Sequence, residues 1–237
     1  MAYKSVVQVG AAATSGSVVA TNFNFNHTCE DVPDRVVIVA VGARDGTVGG
    51  DTLVTSVTYG GTLMTSVAAD SVGGGGAAAV GCAMFIINNP TPGVNNVVVQ
   101  MAGGTPAEAI ATAFTCWGID RTTPQDAAGQ TNTGNTTGSE IDTVVSIERA
   151  SIVSAVALNA GGGVTVSRPT PFPGANPGST PTIISDVQGT NLEVHCLLGT
   201  SDIIPNLTTI CTLTWTSQKF VHVVGSLRPI RRRSHSS

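Results

Sequence analysis

The chain has 237 residues, 41% of them hydrophobic, 11% charged and 4% aromatic, with 28 Gly and 12 Pro. That is apolar enough for a sizeable core, yet it carries under half the charge of an ordinary globular domain, about 25%. A net charge of −4 argues against bulk nucleic-acid binding, and no apolar run reaches the roughly 18–20 residues of a membrane-spanning helix.

The opening MAYKSVVQVGAAATSGS holds no apolar block of signal-peptide length. Val, Ile and Thr fill the apolar runs that follow, Lys occurs only twice, and no window sustains helical apolar spacing. Strands are predicted near Ser5–Val9, Arg35–Gly42, Leu53–Tyr59, Leu63–Val67, Val80–Ile87 and Val97–Met101. Further strands are predicted near Ile110–Ile119, Ile152–Leu158, Thr182–Val187, Leu192–Leu198, Thr208–Thr214 and His222–Leu227. Gly, Pro, Asn and Asp clusters separate them, so the chain reads as an all-β, antiparallel β-sandwich with long Gly/Pro/Thr-rich loops.

Two local features are specific. Gly60-Gly61 supplies the positive φ of a two-residue hairpin turn between Val57 and Met64; Val57 and Tyr59 share one face, with Leu63 and Thr65 on the returning strand. The Asn88-Asn89-Pro90-Thr91-Pro92-Gly93 turn links Val80–Ile87 to the strand at Val97–Met101. Asp126–Ser139 reads as a polar surface excursion, and Arg168–Pro181, with five Pro, as an extended loop. One domain is expected over residues 1–227, its first thirty residues forming an arm or an edge strand. A basic tail, residues 228–237, carries Arg228, Arg231, Arg232 and Arg233.

Chemistry-bearing patterns are sparse. Glu140 and Asp142 share a strand face but flank a polar loop, which suits solvated charges better than a carboxylate pair for glycoside cleavage. His27-x-Cys29 and His195-Cys196 offer ligand types that zinc accepts. Adjacent strand residues point to opposite faces, however, so His195 reads as exposed beside a buried Cys196, and His222 as a surface residue. Asp45-Gly46-Thr47 with Asp51 lacks the order of a calcium loop, and Gly73–Gly76 lacks the Lys-Ser/Thr of a phosphate loop. Asn26, Asn135 and Asn206 match the N-glycosylation pattern by composition. The five Cys, never in a CxxC pair, read as small buried hydrophobes. No catalytic, cofactor-binding or metal-binding residue is expected.

Several segments in order carry a resemblance: Val57-Thr58-Tyr59-Gly60-Gly61, Phe85 to Gly93, Ala113 to Pro124, Thr212-Leu213-Thr214-Trp215, and Gly225-Ser226-Leu227-Arg228-Pro229. Over Leu53 to Pro229 the chain resembles a family of β-sandwich, jelly-roll-like proteins of tailed-bacteriophage virions and related bacterial surface proteins. The resemblance implies a structural or adhesive module without catalytic residues. Trp117 and Trp215 are then structural anchors, as are Tyr59, Gly60 and Gly61, with a sugar-stacking platform as the rival role for the indoles. Asp120 is expected to bond nearby backbone N–H groups in a strand-ending turn. The implied function is a non-enzymatic capsid decoration protein on the virion surface, with no cofactor. Its partners would be the major capsid protein and itself, as a homotrimer or other small oligomer, with neither nucleic acid nor membrane. The alternative is a tail or fibre adhesion module binding host glycan. Tyr3, Lys4, Arg228, Arg231, Arg232 and Arg233 are the candidate partner contacts.

Overall fold

The computed structural model describes residues 6–45, 54–73, 79–102, 105–125, 130–134, 138–145, 151–159, 182–200, 208–215 and 219–230. Every regular element among them is a strand. In chain order these are β1 (Val7–Thr14), β2 (Asn22–Cys29), β3 (Arg35–Arg44), β4 (Val54–Tyr59), β5 (Thr62–Leu63), β6 (Thr65–Val72), β7 (Val80–Asn88) and β8 (Gly93–Met101). They continue as β9 (Glu108–Trp117), β10 (Gln130–Gly134), β11 (Gly138–Val145), β12 (Ser151–Leu158), β13 (Thr182–Gln188), β14 (Glu193–Thr200), β15 (Thr208–Trp215) and β16 (Phe220–Leu227).

All the ladders are antiparallel, as the turn chemistry predicts, and they build three packed sheets. The first, ordered β1-β9-β3-β7-β6, is the middle layer. Its central strand, RVVIVAVGAR, buries eight consecutive residues, so no alternation is visible along it. A strand buried on both faces needs apolar residues at odd and even positions alike. Val36, Ile38 and Ala40 face one way and pack with Val153, Ala155, Val194, Cys196 and Val223 of the sheet β10-β16-β12-β14-β13. Val37, Val39 and Val41 face the other way and pack with Phe23, Val57, Tyr59, Val97 and Val99 of the sheet β2-β8-β4-β5. The molecule is therefore a three-layer β-sandwich with two cores. A separate β11–β15 ladder runs beside β10 and β16.

Glycines set the spacing of two layers. A Cβ on Gly42 would overlap Val194 Cγ2 across the first core, and one on Gly225 would stand 2.7 Å from Val67 Cγ1. The sheets approach closely there because neither residue has a side chain.

Two expectations change, at the hairpin and at Asp126–Ser139, and two others take definite form. The hairpin forms with positive φ at Gly60 and Gly61, but Tyr59 pairs with Thr62 and Thr58 with Leu63. A two-residue turn thus brings Met64 opposite Val57, so Met64 enters the core while Leu63 stays 66% exposed and Thr65 also faces solvent. The Asn88–Pro92 turn, with Asn89 at φ 45°, links β7 to β8 as expected and carries the chain from the middle layer into an outer one. The predicted excursion at Asp126–Ser139 instead contributes β10, paired with β16, and the start of β11. An edge strand can form from Thr and Asn because backbone pairing holds it, and the Thr131 hydroxyl donates to Asp70 Oδ2 at 2.6 Å. The first thirty residues, expected as an arm or an edge strand, supply two edge strands: β1 beside β9 and β2 beside β8. The Pro-rich stretch at 168–181 lies outside the described residues.

Replacing Gly42 by Ala should force the first core apart and cost about 1–3 kcal/mol, lowering the thermal midpoint by about 2–4 °C per kcal/mol. Circular dichroism melting checks this; an unchanged midpoint would show that the layers are not spaced by this residue.

Candidate functional site

Polar residues collect at three buried places, and each has a traceable origin. On the outer face of β12, β14 and β16, ladder register lines up Asp186, His195, Val156, His222 and Asn132 in one row across five strands. His195 and His222 are both buried, which corrects their expected exposure: β12 and β16 are interior on both faces, although the Asp186 side chain at the β13 end of the row is 55% exposed. His195 Nδ1 lies 2.9 Å from Asp186 Oδ1, and its Nε2 lies 3.4 Å from Glu193 Oε2. Gln188 Nε2 donates to the other Glu193 oxygen at 3.1 Å.

Ser154 Oγ and His222 Nε2 share a hydrogen bond of 2.6 Å. A hydroxyl on an imidazole at that distance is the pairing used to activate a serine nucleophile. Here Ser154 is 1% exposed and His222 0% exposed, in the middle of two paired strands. The described residues leave no approach for a substrate to Oγ. What the pair does is satisfy two polar groups inside a packed sheet, where an unmet one costs about 1–3 kcal/mol.

The second place is the core between the middle layer and β2-β8-β4-β5. Tyr59, expected as an anchor, is buried, and its hydroxyl shares a 2.9 Å hydrogen bond with His27 Nδ1. The rings meet edge to face, 5.8 Å between centroids. His27 Nε2 finds no hydrogen-bond partner among the described residues, and burial pulls the imidazole pKa down from 6.5 to about 4. Burial also raises the neighbouring Cys29 thiol. Cys82, Cys116 and Cys196 are buried and unpaired as well, and burial pushes Cys196 up to about 12. These thiols stay protonated and serve as small apolar side chains, as expected. No cluster of three or more metal-ligating residues occurs among the described residues.

The third is Glu108, the buried first residue of β9. Its Oε1 accepts from Thr190 N at 2.6 Å and Ser17 Oγ at 2.7 Å, and its Oε2 accepts from Asn191 N at 2.8 Å. One carboxylate thus ties the middle layer to the β13–β14 turn and to the β1–β2 connection. It lies against the Gly189 Cα so closely that any Cβ there would overlap Oε1.

The remaining predicted site residues fall elsewhere. Trp117 is half-buried at the end of β9, opposite Val7 and Arg35. Trp215 ends β15 opposite Gly138, and Glu140 and Asp142 lie on β11. Asp120 Oδ1 accepts from Thr122 N and Thr123 N, the expected turn. Arg228 belongs to the body: its N–H donates to the Pro124 carbonyl and its guanidinium to Thr123 Oγ1. Tyr3, Lys4, Arg231, Arg232 and Arg233 lie outside the described residues, as do Asn135 and Asn206.

One exposed surface stands apart from these interiors. Asn24 and Asn26 of β2 pair with Val98 and Asn96 of β8, and Thr58 of β4 completes the Val98 row. The outward residues of this sheet include Val94 at 69% exposure and Leu63, and none is ionisable. The sequence matches no protein-family model, and no curated protein is significantly similar to it.

Two outcomes are expected. Glu108→Ala leaves three donors without an acceptor and should destabilise by about 3 kcal/mol, read from urea unfolding; a cost under about 0.5 kcal/mol would make the clamp incidental. Because the folded imidazole of His27 has the lower pKa, its contribution is complete above pH 6.5 and is lost as pH falls toward 4. His27→Gln should therefore flatten the fall of the melting temperature between pH 7 and pH 4.5; an identical slope would contradict it.

Proposed function

We propose that this protein is a non-enzymatic structural protein of a bacteriophage particle, a capsid decoration protein that works by surface matching. The observation that carries the reading is the outward face of β2-β8-β4-β5: solvent-facing and without a charged side chain. Such a face can meet a neutral protein surface over a wide area without desolvating ions, the main penalty at a polar interface. Its rigidity supports the same role, because its inward residues are locked into the second core. A preordered sheet loses little conformational freedom on docking, so weak matches repeated over a lattice add up. Polar interiors elsewhere are explained as hydrogen-bond satisfaction, and the reading assigns them no bond-making role.

A second reading draws on the same face. Rows of Asn amides beside Val94 and Val98 also suit the hydroxyls and apolar patches of a host glycan, which would make this an adhesion module. Amides donate and accept at once, as sugar hydroxyls do.

Placing charge on the face separates the readings from chance exposure. In the paired substitution Asn24→Lys with Asn96→Lys, occupancy on purified particles should fall at least tenfold while the melting temperature stays within about 2 °C. Undiminished occupancy rejects this face as the contact. Glycan-array binding by the unaltered chain, abolished by the same pair, would favour the adhesion reading.

A further inference from the structure

The six edge strands of the three packed sheets are not alike. β1, β6 and β13 each lose register against their neighbours, at Val9–Ala13, Ser66–Ala68 and Ile183–Ser185. β5 is two residues long, and β10 is five residues long and runs beside β11. Bulges, brevity and charge are how proteins keep a sheet edge from pairing with another chain. β2 has none of them. It pairs with β8 without a break over all eight residues, and Asn22–Cys29 (NFNFNHTC) holds no Pro, Lys, Arg, Asp or Glu. Glu30, the first charge beyond it, lies against Gly10 of β1.

Two hydrogen bonds fix which backbone groups of β2 face away from β8. Met101 N donates to the Thr21 carbonyl, and Gly60 N donates to the Asn96 carbonyl. Asn96 therefore bonds toward β4, and its neighbours on β8, Asn95 and Val97, bond toward β2. In the observed register Phe23, Phe25, His27 and Cys29 are then the residues of β2 that bond β8. The N–H and C=O groups of Asn22, Asn24, Asn26 and Thr28 point out of the sheet's edge, and all four residues are exposed. On the inward side of the same strand Phe23, His27 and Cys29 are buried. Phe25, between them, is only half-buried against the second core.

We propose that β2 is a self-pairing edge: it joins β2 of a second copy of this chain, antiparallel about a two-fold axis at Phe25. The two outer sheets then form one continuous sheet. In that register Asn22 stands opposite Thr28 and Asn24 opposite Asn26, each twice, so the outward N–H and C=O groups of all four residues gain backbone partners. The strand can be its own complement because it carries no charge to repel a copy of itself. On the inner face the two Phe25 side chains meet across the axis, in a non-hydrogen-bonded pair where side chains stand closest. That contact covers the aromatic residue that one copy leaves half-exposed. Growth stops at two copies, since the far edge of the sheet is the two-residue β5. Pairing of this kind places both uncharged outward faces on one side of the dimer, and it holds whatever those faces meet.

Sedimentation equilibrium of the full chain, up to about 1 mM, tests the pairing. A monomer–dimer equilibrium is expected, little changed between about 0.05 M and about 0.5 M salt because no ion pair supports it. Asn24→Pro removes a donor from the free edge and leaves the β8 bonds in place. It should weaken the dimer at least tenfold with an unchanged circular dichroism spectrum. Asn24→Lys with Asn26→Lys should do the same by setting like charges opposite each other. Asn24→Lys with Asn26→Asp instead sets Lys opposite Asp and should restore the dimer. A chain that stays monomeric to about 1 mM, or a Lys–Lys variant that dimerises as tightly as the Lys–Asp variant, overturns the proposal. A monomer that still decorates particles overturns it and leaves the structural role standing. A dimer that Asn24→Pro breaks, in a chain absent from particles, supports the pairing and removes that role.

Discussion

Exclusion of water from both faces of β3, β7 and β9 is the constraint from which the rest of the architecture follows. A sheet with one buried face needs one partner layer; these strands, buried at nearly every position, need two. The requirement fixes the layer count, places the two outer sheets and explains why glycines stand where the layers come closest. Close packing on both sides seals β3, β7 and β9, the inner strands of the middle sheet. Among the described residues, exposed surface belongs to the outer layers, to the edge strands β1 and β6 and to the turns.

Several polar groups that the layers enclose are satisfied from within. Glu108 does this with backbone donors of a neighbouring turn, Ser154 and His222 with each other, and Tyr59 with His27. In each case the partners come from segments distant in sequence, so each bond also fixes how one strand or layer sits on the next. A serine–imidazole contact in such a place reads as architecture because both groups are sealed among paired strands. The same contact at the mouth of a cleft would carry the opposite meaning.

Much of the fold was legible in the residues, and the reasons differ by element. Long runs such as RVVIVAVGAR announce strands because β-branched residues fit a pleated surface, and Gly60-Gly61 announces its turn through φ alone. The number of layers was not read from the sequence, although the unbroken apolar run of β3 was its signal. β2 was readable too: Phe23, Phe25, His27 and Cys29 alternate with Asn and Thr, a period of two inside a segment otherwise expected as an arm or edge. β10 carried no such signal, since its pairing is a backbone property that Thr and Asn neither demand nor forbid. His195 and His222 were misplaced because alternation tells which residues share a face, not whether the far face is covered. Glu108 was invisible for a related reason; its acceptor role depends on a turn some eighty residues away.

Function, on this account, resides in what the outer layer shows rather than in what the cores hold. The most direct measurement is a cryo-EM reconstruction of the intact particle in which this chain is located. The account predicts repeated copies on the shell, seated with the β2-β8-β4-β5 face toward the shell subunit. Absence of the chain from the particle, or copies with that face turned outward to solvent, would contradict it.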